Sequence, residues 1–273
     1  MTPASPLITL TTDFGLQDAF VGIMKGVIAG ICPTARIIDL THGVRAFDVL
    51  GGALAIGQAW RYFPAETIHV IVVDPGVGSE RLPVLARLGD QWFIAPDNGV
   101  LTLVERQTQR AKGAIGYRQI ENPSYRLPAT SSTFHGRDIF APAAAHLAAQ
   151  MEQGEVAAES FGRGMEQIVQ LPIPEPVPHP DGSVEGAILK SDTFGNLLTN
   201  ISPNDLPRPV QEFAIEIGDL RISRYCRFFA EADRGELFAV VGSSGMLELA
   251  VNRGSAQQKT GIQSGAKLRF VLK

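Results

Sequence analysis

The chain has 273 residues, enough for two domains of ordinary size, with 45% apolar and 19% charged residues and a formal net charge of −4. That balance excludes a disordered chain, and an acidic chain without a run of Lys or Arg lacks the basic stripe of a nucleic-acid binder. No apolar run approaches the ~20 residues of a membrane-spanning helix, and the opening Met-Thr-Pro-Ala-Ser-Pro lacks the basic and apolar regions of a signal peptide. The expectation is a cytoplasmic protein without nucleic-acid or membrane partners. Cys32 and Cys226 belong to no Cys-x-x-Cys pair, so neither a zinc site nor a disulfide framework is expected.

Leu7 to Thr12 reads as a first strand ending in Asp13-Phe14-Gly15. Residues 18–31 carry Phe20, Ile23, Met24, Val27, Ile28 and Ile31 at helical spacing, and Cys32-Pro33 stops that helix. A second strand, Ala35 to Leu40, closes in Thr41-His42-Gly43. A helix rich in Ala and Gly follows from Asp48 to Phe63 and ends at Pro64. Thr67 to Val73 holds no Gly, Pro or acid and reads as a strand buried on both faces. It runs straight into Asp74-Pro75-Gly76-Val77-Gly78-Ser79-Glu80-Arg81. Alternation of strand and helix predicts right-handed crossovers, hence an α/β domain with a mostly parallel, doubly wound sheet.

Residues 83–95 read as a hairpin about Gly89-Asp90, and Asp97-Asn98-Gly99 opens the next element. Ile139 to Gln150 is an Ala-rich helix entered through Thr133-Phe134-His135-Gly136-Arg137-Asp138. Prolines 172, 174, 176, 178 and 180 mark a semi-rigid linker over 166–182. Beyond it, Gly186–Lys190, Phe213–Ile217, Phe238–Val241, Leu247–Val251 and Ala266–Leu272 read as short strands of a smaller all-β domain. The expected division is therefore 1–165, a linker at 166–182, and 183–273.

Ligands of open α/β sheets bind outside the carboxyl ends of the strands, where Asp13 and Asp74 both stand. Asp74 and Arg81, across a Pro-Gly-x-Gly turn, are spaced to pair as carboxylate and guanidinium. Such a pair serves a substrate site or simply caps the turn. Asp13 suits the two hydroxyls of a ribose, or a helix N-cap. The first strand is followed neither by Gly-x-Gly-x-x-Gly nor by a phosphate-cradling loop, so a bound nucleoside would bring no pyrophosphate. His135, in a turn just before a helix, favours a cleft. His42, at a strand end, stays open with a structural leaning, whereas His69, His146 and His179 read as structural. No two histidines stand at metal-ligand spacing, so no metal is expected. In the second domain, Asp192-Thr193-Phe194-Gly195-Asn196 offers an aromatic to stack on a base and an amide to read a purine edge, or else an Asx turn. Gly242-Ser243-Ser244-Gly245 offers donors to an anionic group, but by itself an ordinary turn is the stronger reading.

Six motifs together resemble one family. They are Thr-Thr-Asp-Phe-Gly at 11–15, Val-Asp-Pro-Gly-Val-Gly-Ser at 73–79, Ala-Pro-Asp-Asn-Gly at 95–99, Thr-Phe-His-Gly-Arg-Asp at 133–138, Asp-Thr-Phe-Gly-Asn at 192–196 and Leu-Glu-Leu-Ala-Val-Asn-Arg-Gly-Ser-Ala at 247–256. The chain is similar to the S-adenosyl-L-methionine (SAM) hydroxide adenosyltransferases, the adenosine-forming SAM hydrolases related to SAM-dependent fluorinase and chlorinase. The resemblance covers nearly the whole chain in order. It implies an N-terminal α/β domain, a C-terminal β domain and a homotrimer, with SAM held between one subunit's N-terminal domain and its neighbour's C-terminal domain.

Carried over by motif, Asp13 would hold the ribose diol, and Asp74, Arg81 and His135 would form the triad that handles water. Asp192 would bind the methionine ammonium, with Ser243 and Ser244 near its carboxylate. Phe194 and Asn196 would form part of the adenine site, with Asn252 and backbone near Ala256 contributing. The implied reaction is hydrolysis of SAM to adenosine and L-methionine, with SAM as substrate and neither cofactor nor metal. The halogenase branch lacks the Arg–His combination and replaces the His-Gly step by Tyr and a small residue facing the halide. Arg81, His135 and Gly136 therefore point to water. Leu82 departs from the pattern, standing where many relatives carry a second basic residue. The alternatives are a chlorinase-like halogenase and a SAM- or adenosine-binding module without turnover. A methyltransferase is disfavoured by the missing glycine-rich loop.

Overall fold

The structure is a computed structural model that describes residues 5–273. The first four residues, on which the expectation of no signal peptide partly rests, lie outside the described residues. The chain divides into two compact units, Met1–Leu171 and Pro172–Lys273.

The first unit is built on seven strands: β1 (Leu7–Thr12), β2 (Arg36–Thr41), β3 (Ile68–Val72), β4 (Pro83–Leu88), β5 (Gln91–Pro96), β6 (Ile115–Gln119) and β7 (Gly164–Met165). Their order in the sheet is β2-β1-β3-β5-β4-β6-β7. The pairings β1–β2, β1–β3 and β3–β5 are parallel. The pairings β4–β5, β4–β6 and β6–β7 are antiparallel. The sheet is thus mixed. Parallel order ends at β5 because the two-residue Gly89-Asp90 turn joins β4 to β5, and so short a connection can only reverse the chain.

Four helices flank the sheet: α1 (Phe20–Ile31), α2 (Val49–Ala59), α3 (Thr102–Arg110) and α4 (Ala141–Gln153). Side chains alternate across each strand, and both sides are covered. Ile8, Leu10, Val70 and Ile94 pack with Met24 and Ile28 of α1 and Ala144 and Leu147 of α4. Ile71 and Phe93 face the other way, into Ile56 of α2 and Val104 of α3. All five residues of β3 are buried, which is why its sequence shows no polar alternation. The expected Ile139–Gln150 helix divides in two, a π-helical turn over Gly136–Phe140 and then α4.

The second unit holds β8 (Val177–Pro178), β9 (Val184–Ser191), β10 (Leu197–Thr199), β11 (Phe213–Ile217), β12 (Leu220–Ile222), β13 (Leu237–Val241), β14 (Leu247–Val251) and β15 (Lys267–Leu272), with one short helix, α5 (Ala256–Thr260). The strands run in the order β12-β11-β15-β9-β10-β14-β13, with β8 beside β9, and every ladder is antiparallel. Val184, Ile188, Leu197, Ile215, Leu249 and Phe270 are among its core residues. The proline-rich stretch is anchored within each unit. Leu171 N donates to Thr102 Oγ1 (2.8 Å) in the first, and Asn200 Nδ2 donates to Pro174 O (2.9 Å) in the second.

His69 stands in the middle of β3, fully buried, and ties three strands together. Its Nε2 lies 2.6 Å from Gln91 Oε1, and its Nδ1 lies 2.7 Å from Thr9 Oγ1. Gln91 donates through Nε2 to Phe63 O (2.8 Å), which fixes the amide so that Oε1 can only accept. His69 therefore carries its proton on Nε2 and accepts from the Thr9 hydroxyl, as a neutral ring. Burial pushes its pKa down from 6.5 to about 4. Between those values the unfolded chain takes up a proton that the folded chain refuses. Stability from this group is complete above pH 6.5 and is lost on acidification toward pH 4. The full difference is roughly 3 kcal/mol. Urea unfolding of the wild type and His69→Gln at pH 7 and pH 4.5 should show the smaller acid loss in the variant.

Candidate active site

Neighbouring parallel strands deliver two carboxylates to one edge of the sheet. β1 and β3 pair in the register Thr12↔Val72, so Asp13 and the turn beginning at Asp74 leave the sheet side by side. Asp74 Oδ1 and Oδ2 each lie 3.0 Å from Arg81 Nε, and Arg81 Nη2 also bonds Oδ2. Both side chains are nearly buried, at 5% and 9% exposure. The Arg81 guanidinium lies 5.2 Å above the Phe140 ring. Its Nη2 reaches His135 Nδ1 at 2.6 Å.

That last contact settles a protonation state. Arginine donates and never accepts, so His135 Nδ1 is the acceptor and the neutral ring carries its proton on Nε2. Burial, and then the Arg81 charge, hold the His135 pKa below its ordinary 6.5; Asp74, Asp138 and the Ser131 backbone act weakly the other way. At neutral pH His135 is therefore an uncharged partner of Arg81.

The motifs around these three residues hold them in place. Gly78 adopts φ +78°, and a Cβ there would run into the Ser132 carbonyl oxygen. Only glycine lets the Asp74 turn close against the loop that leads to His135. Asp138, fully buried, accepts from Ser131 N (2.8 Å), Ser131 Oγ (2.7 Å) and Arg137 Nε (2.6 Å), fixing that loop from below. Burial alone would raise the Asp138 pKa, but the bonds from Arg137 and Ser131 keep it below the usual carboxylate value. His135 immediately precedes the π-helical turn, a local widening of the helix common at functional sites. Asn98 of the Ala-Pro-Asp-Asn-Gly motif donates to Val73 O (2.9 Å), just before Asp74.

Asp13, Asp74 and His135 line one cleft of about 300 Å³, walled by Phe14, Phe20, Phe47 and Phe134. Phe14, Phe20 and Phe134 are mutually packed, with centroids 5.1–5.8 Å apart. Asp13 Oδ2 accepts from Phe47 N (2.8 Å), which leaves Oδ1 as its remaining acceptor. The sequence reading missed Phe47; its positive φ of 67° and 71% exposure mark it only in three dimensions. Among the described residues no group of three His, Cys, Asp or Glu is arranged to hold a metal ion.

The second unit carries its own cleft, of about 510 Å³, lined by Phe194, Asn196, Phe229, Val251, Arg253 and Gly254. Phe194 is 77% exposed, a large aromatic face without cover from its own unit. The Asx turn is present: Asp192 Oδ1 accepts from Phe194 N (2.9 Å) and Asn196 N (2.8 Å), and Oδ2 from Asn196 Nδ2 (2.9 Å). Those bonds leave Asn196 Oδ1 as its remaining acceptor, with a further lone pair on Asp192 Oδ2. Gly195, at φ +83°, packs so closely on Ser255 that any Cβ would strike its Oγ, which seats the turn against α5 and its first residue, the buried Ala256.

Ser243 and Ser244 form the turn between β13 and β14, with Gly245 N donating to Gly242 O at 3.0 Å. Asn252 does not stand free; its Nδ2 holds Ala232 O at 2.6 Å. Glu248 is a residue the sequence reading passed over. It is half-buried against Gly242, and burial, then the charge of Asp192, raise its pKa above the ordinary carboxylate value. The strand pattern hid it, because an acid alternating with leucines reads as solvent-facing. Phe229 was missed because nothing in its local sequence marks it, and Arg253, though inside the 247–256 motif, was given no role.

Comparison with known proteins agrees with this layout. The model of the SAM hydroxide adenosyltransferase N-terminal domain matches residues 8–157, and that of the C-terminal domain matches residues 186–269. A Thermus thermophilus protein named (R)-S-adenosyl-L-methionine hydrolase is 36% identical over 95% of this chain and 97% of its own length. An Actinoplanes protein named fluorinase is 30% identical over 75% of this chain and 74% of its own. The crystal structure of an uncharacterized conserved protein from Thermotoga maritima matches with a TM-score of 0.85 and 35% identity, over 97% of this chain and 99% of that one. By both of its units, this chain belongs to the SAM hydroxide adenosyltransferase family.

Proposed function

We propose that this protein hydrolyses SAM to adenosine and L-methionine by in-line attack of water or hydroxide at ribose C5′. The observation that carries this reading is the Asp74–Arg81–His135 assembly in the same cleft as Asp13. Asp13 takes the ribose diol. Phe194 and Asn196 take the adenine, beside backbone near Ala256. Asp192 takes the methionine ammonium, with Glu248 adding a second carboxylate at that end, and Ser243 and Ser244 lie near the methionine carboxylate. Asn252 acts through the loop it holds.

C5′ of SAM is an sp³ carbon bearing a sulfonium, which already leaves well. The site must therefore position a nucleophile in line rather than activate the leaving group. Free water is a poor nucleophile, with a pKa of about 15.7. Arg81 Nη1 is the donor left to hold and polarise an incoming oxygen. His135 has its acceptor nitrogen on Arg81 and a proton on the other, so it aims the guanidinium and does not receive the proton. The carboxylate of Asp74 receives it. As the O–C5′ bond forms, the C5′–S electrons return to sulfur, giving the neutral thioether of methionine, and the water proton passes to Asp74. The apolar Phe walls favour this step, because charge is neutralised along it.

We also take the working form to be a homotrimer that needs no metal. The N-terminal sheet, with helix pairs on both faces, is read as doubly wound across its parallel half.

Chromatography of the protein incubated with SAM should give adenosine and methionine in equal amounts, unchanged by chloride or by EDTA. A chloronucleoside would move the protein to the halogenase branch, and intact SAM held by the protein would leave a binding module. Arg81→Ala and His135→Ala should each lower kcat by about a hundredfold or more while changing the SAM dissociation constant only a few-fold. Equal loss of turnover and binding would remove both from the catalytic step. In the wild type, protonating His135 sets a cation against Arg81. The rate should therefore hold as pH falls through 6.5 and drop only below it.

A further inference from the structure

The catalytic reading leaves one buried titratable residue beside the site without a task. His42 is 5% exposed and stands at the end of β2, next to the segment that carries Asp13. Its Nε2 lies 3.0 Å from Asp39 Oδ1, and Asp39 Oδ2 accepts from Lys25 Nζ at 2.6 Å on the surface. Its Nδ1 lies 2.9 Å from Thr12 Oγ1. The approach to Asp39 is an ion-pair contact outside hydrogen-bond alignment, and the ring is held by the bond between Nδ1 and the Thr12 hydroxyl. The same hydroxyl oxygen accepts from Phe14 N at 3.2 Å, and His42 O accepts from Gly15 N at 2.9 Å. The two peptide N–H groups that follow Asp13 are thus both tied, directly or through Thr12, to His42. On its other side, the Asp13 carboxylate is held by Phe47 N.

We propose that His42 is a positioning residue for Asp13: the Lys25–Asp39–His42–Thr12 relay sets the Asp13-Phe14-Gly15 backbone so that the free carboxylate oxygen meets the ribose diol. This rests on the reading of Asp13 as the ribose ligand. The relay explains why a histidine, rather than an apolar residue, fills a buried position outside the triad. An imidazole here bonds the Thr12 hydroxyl with Nδ1 while its Nε2 edge rests against the Asp39 carboxylate. It also explains why Thr12, fully buried, carries a hydroxyl at all. Asp13 has no bond to His42 itself, so the effect is on geometry rather than on charge.

Two ligands that differ only at the diol test it: adenosine and 2′,3′-dideoxyadenosine, titrated calorimetrically into the full-length protein. The wild type should prefer adenosine by about tenfold or more, the effect of a charge-assisted contact to the diol. Thr12→Val, which keeps shape and removes the hydroxyl, and His42→Phe should each erase most of that preference while leaving dideoxyadenosine affinity within about twofold. His42→Asn, whose amide oxygen overlays Nδ1, should recover part of it. The double variant should be no worse than either single one, because both cut the same chain. In turnover, the variants should raise KM for SAM far more than they lower kcat. If the variants weaken both ligands equally and keep the preference, His42 is structural and the relay is wrong. If the wild type itself shows no preference, the ribose assignment of Asp13 fails, and the relay with it.

Discussion

A guanidinium has five donors and no acceptor, and Arg81 is taken almost wholly out of water. Everything next to it must therefore accept. Asp74 does so as a carboxylate, His135 as a neutral imidazole, and Phe140 with the face of its ring. One buried cation thereby sets the tautomer of His135 and the position of both partners. Burying such a pair brings little stability, since the cost of desolvating two charges offsets most of their attraction. A polar cluster kept at that cost, opening on a cleft with a second carboxylate, fits a chemical task better than a structural one.

The sheet supplies the rigidity that this arrangement needs. Asp13 and Asp74 follow adjacent parallel strands in fixed register, and His69 locks the middle of those strands to a third. Around the strand ends, close backbone approach replaces flexible loop. Gly78 meets Ser132, and Asn98 holds the carbonyl just before Asp74. Two buried histidines outside the triad, His69 and His42, each bond a buried threonine hydroxyl through Nδ1. At His69 the imidazole is a rigid spacer with one donor and one acceptor.

Much of this was legible in the sequence where local chemistry decides the outcome. The first strand, the turn after β3 and the strands Phe213–Ile217 and Leu247–Val251 follow from alternation, from buried apolar runs and from turn residues. The mixed order of the sheet was not, because pairing partners are chosen by long-range packing; only the short β4–β5 turn announced the reversal. β10 and β12, three residues each, are too short to show a period. In the site, Asp74 and Arg81 could be paired from spacing alone, whereas the contact with His135, fifty-four positions further on, could not. Phe47, Arg253 and Glu248 were hidden for the same reason. Each acquires its character from what the fold sets beside it, even where, as for Glu248 and Arg253, it lies within a recognisable motif.

Hydrolysis in water enriched in heavy oxygen, with mass analysis of the products, tests the central claim most directly. Attack at C5′ places the label in the 5′-hydroxyl of adenosine and leaves methionine unlabelled. Label in homoserine, with methylthioadenosine as the other product, would put the attack on a different carbon of the sulfonium. The roles given to Asp74, Arg81 and His135 would then be wrong.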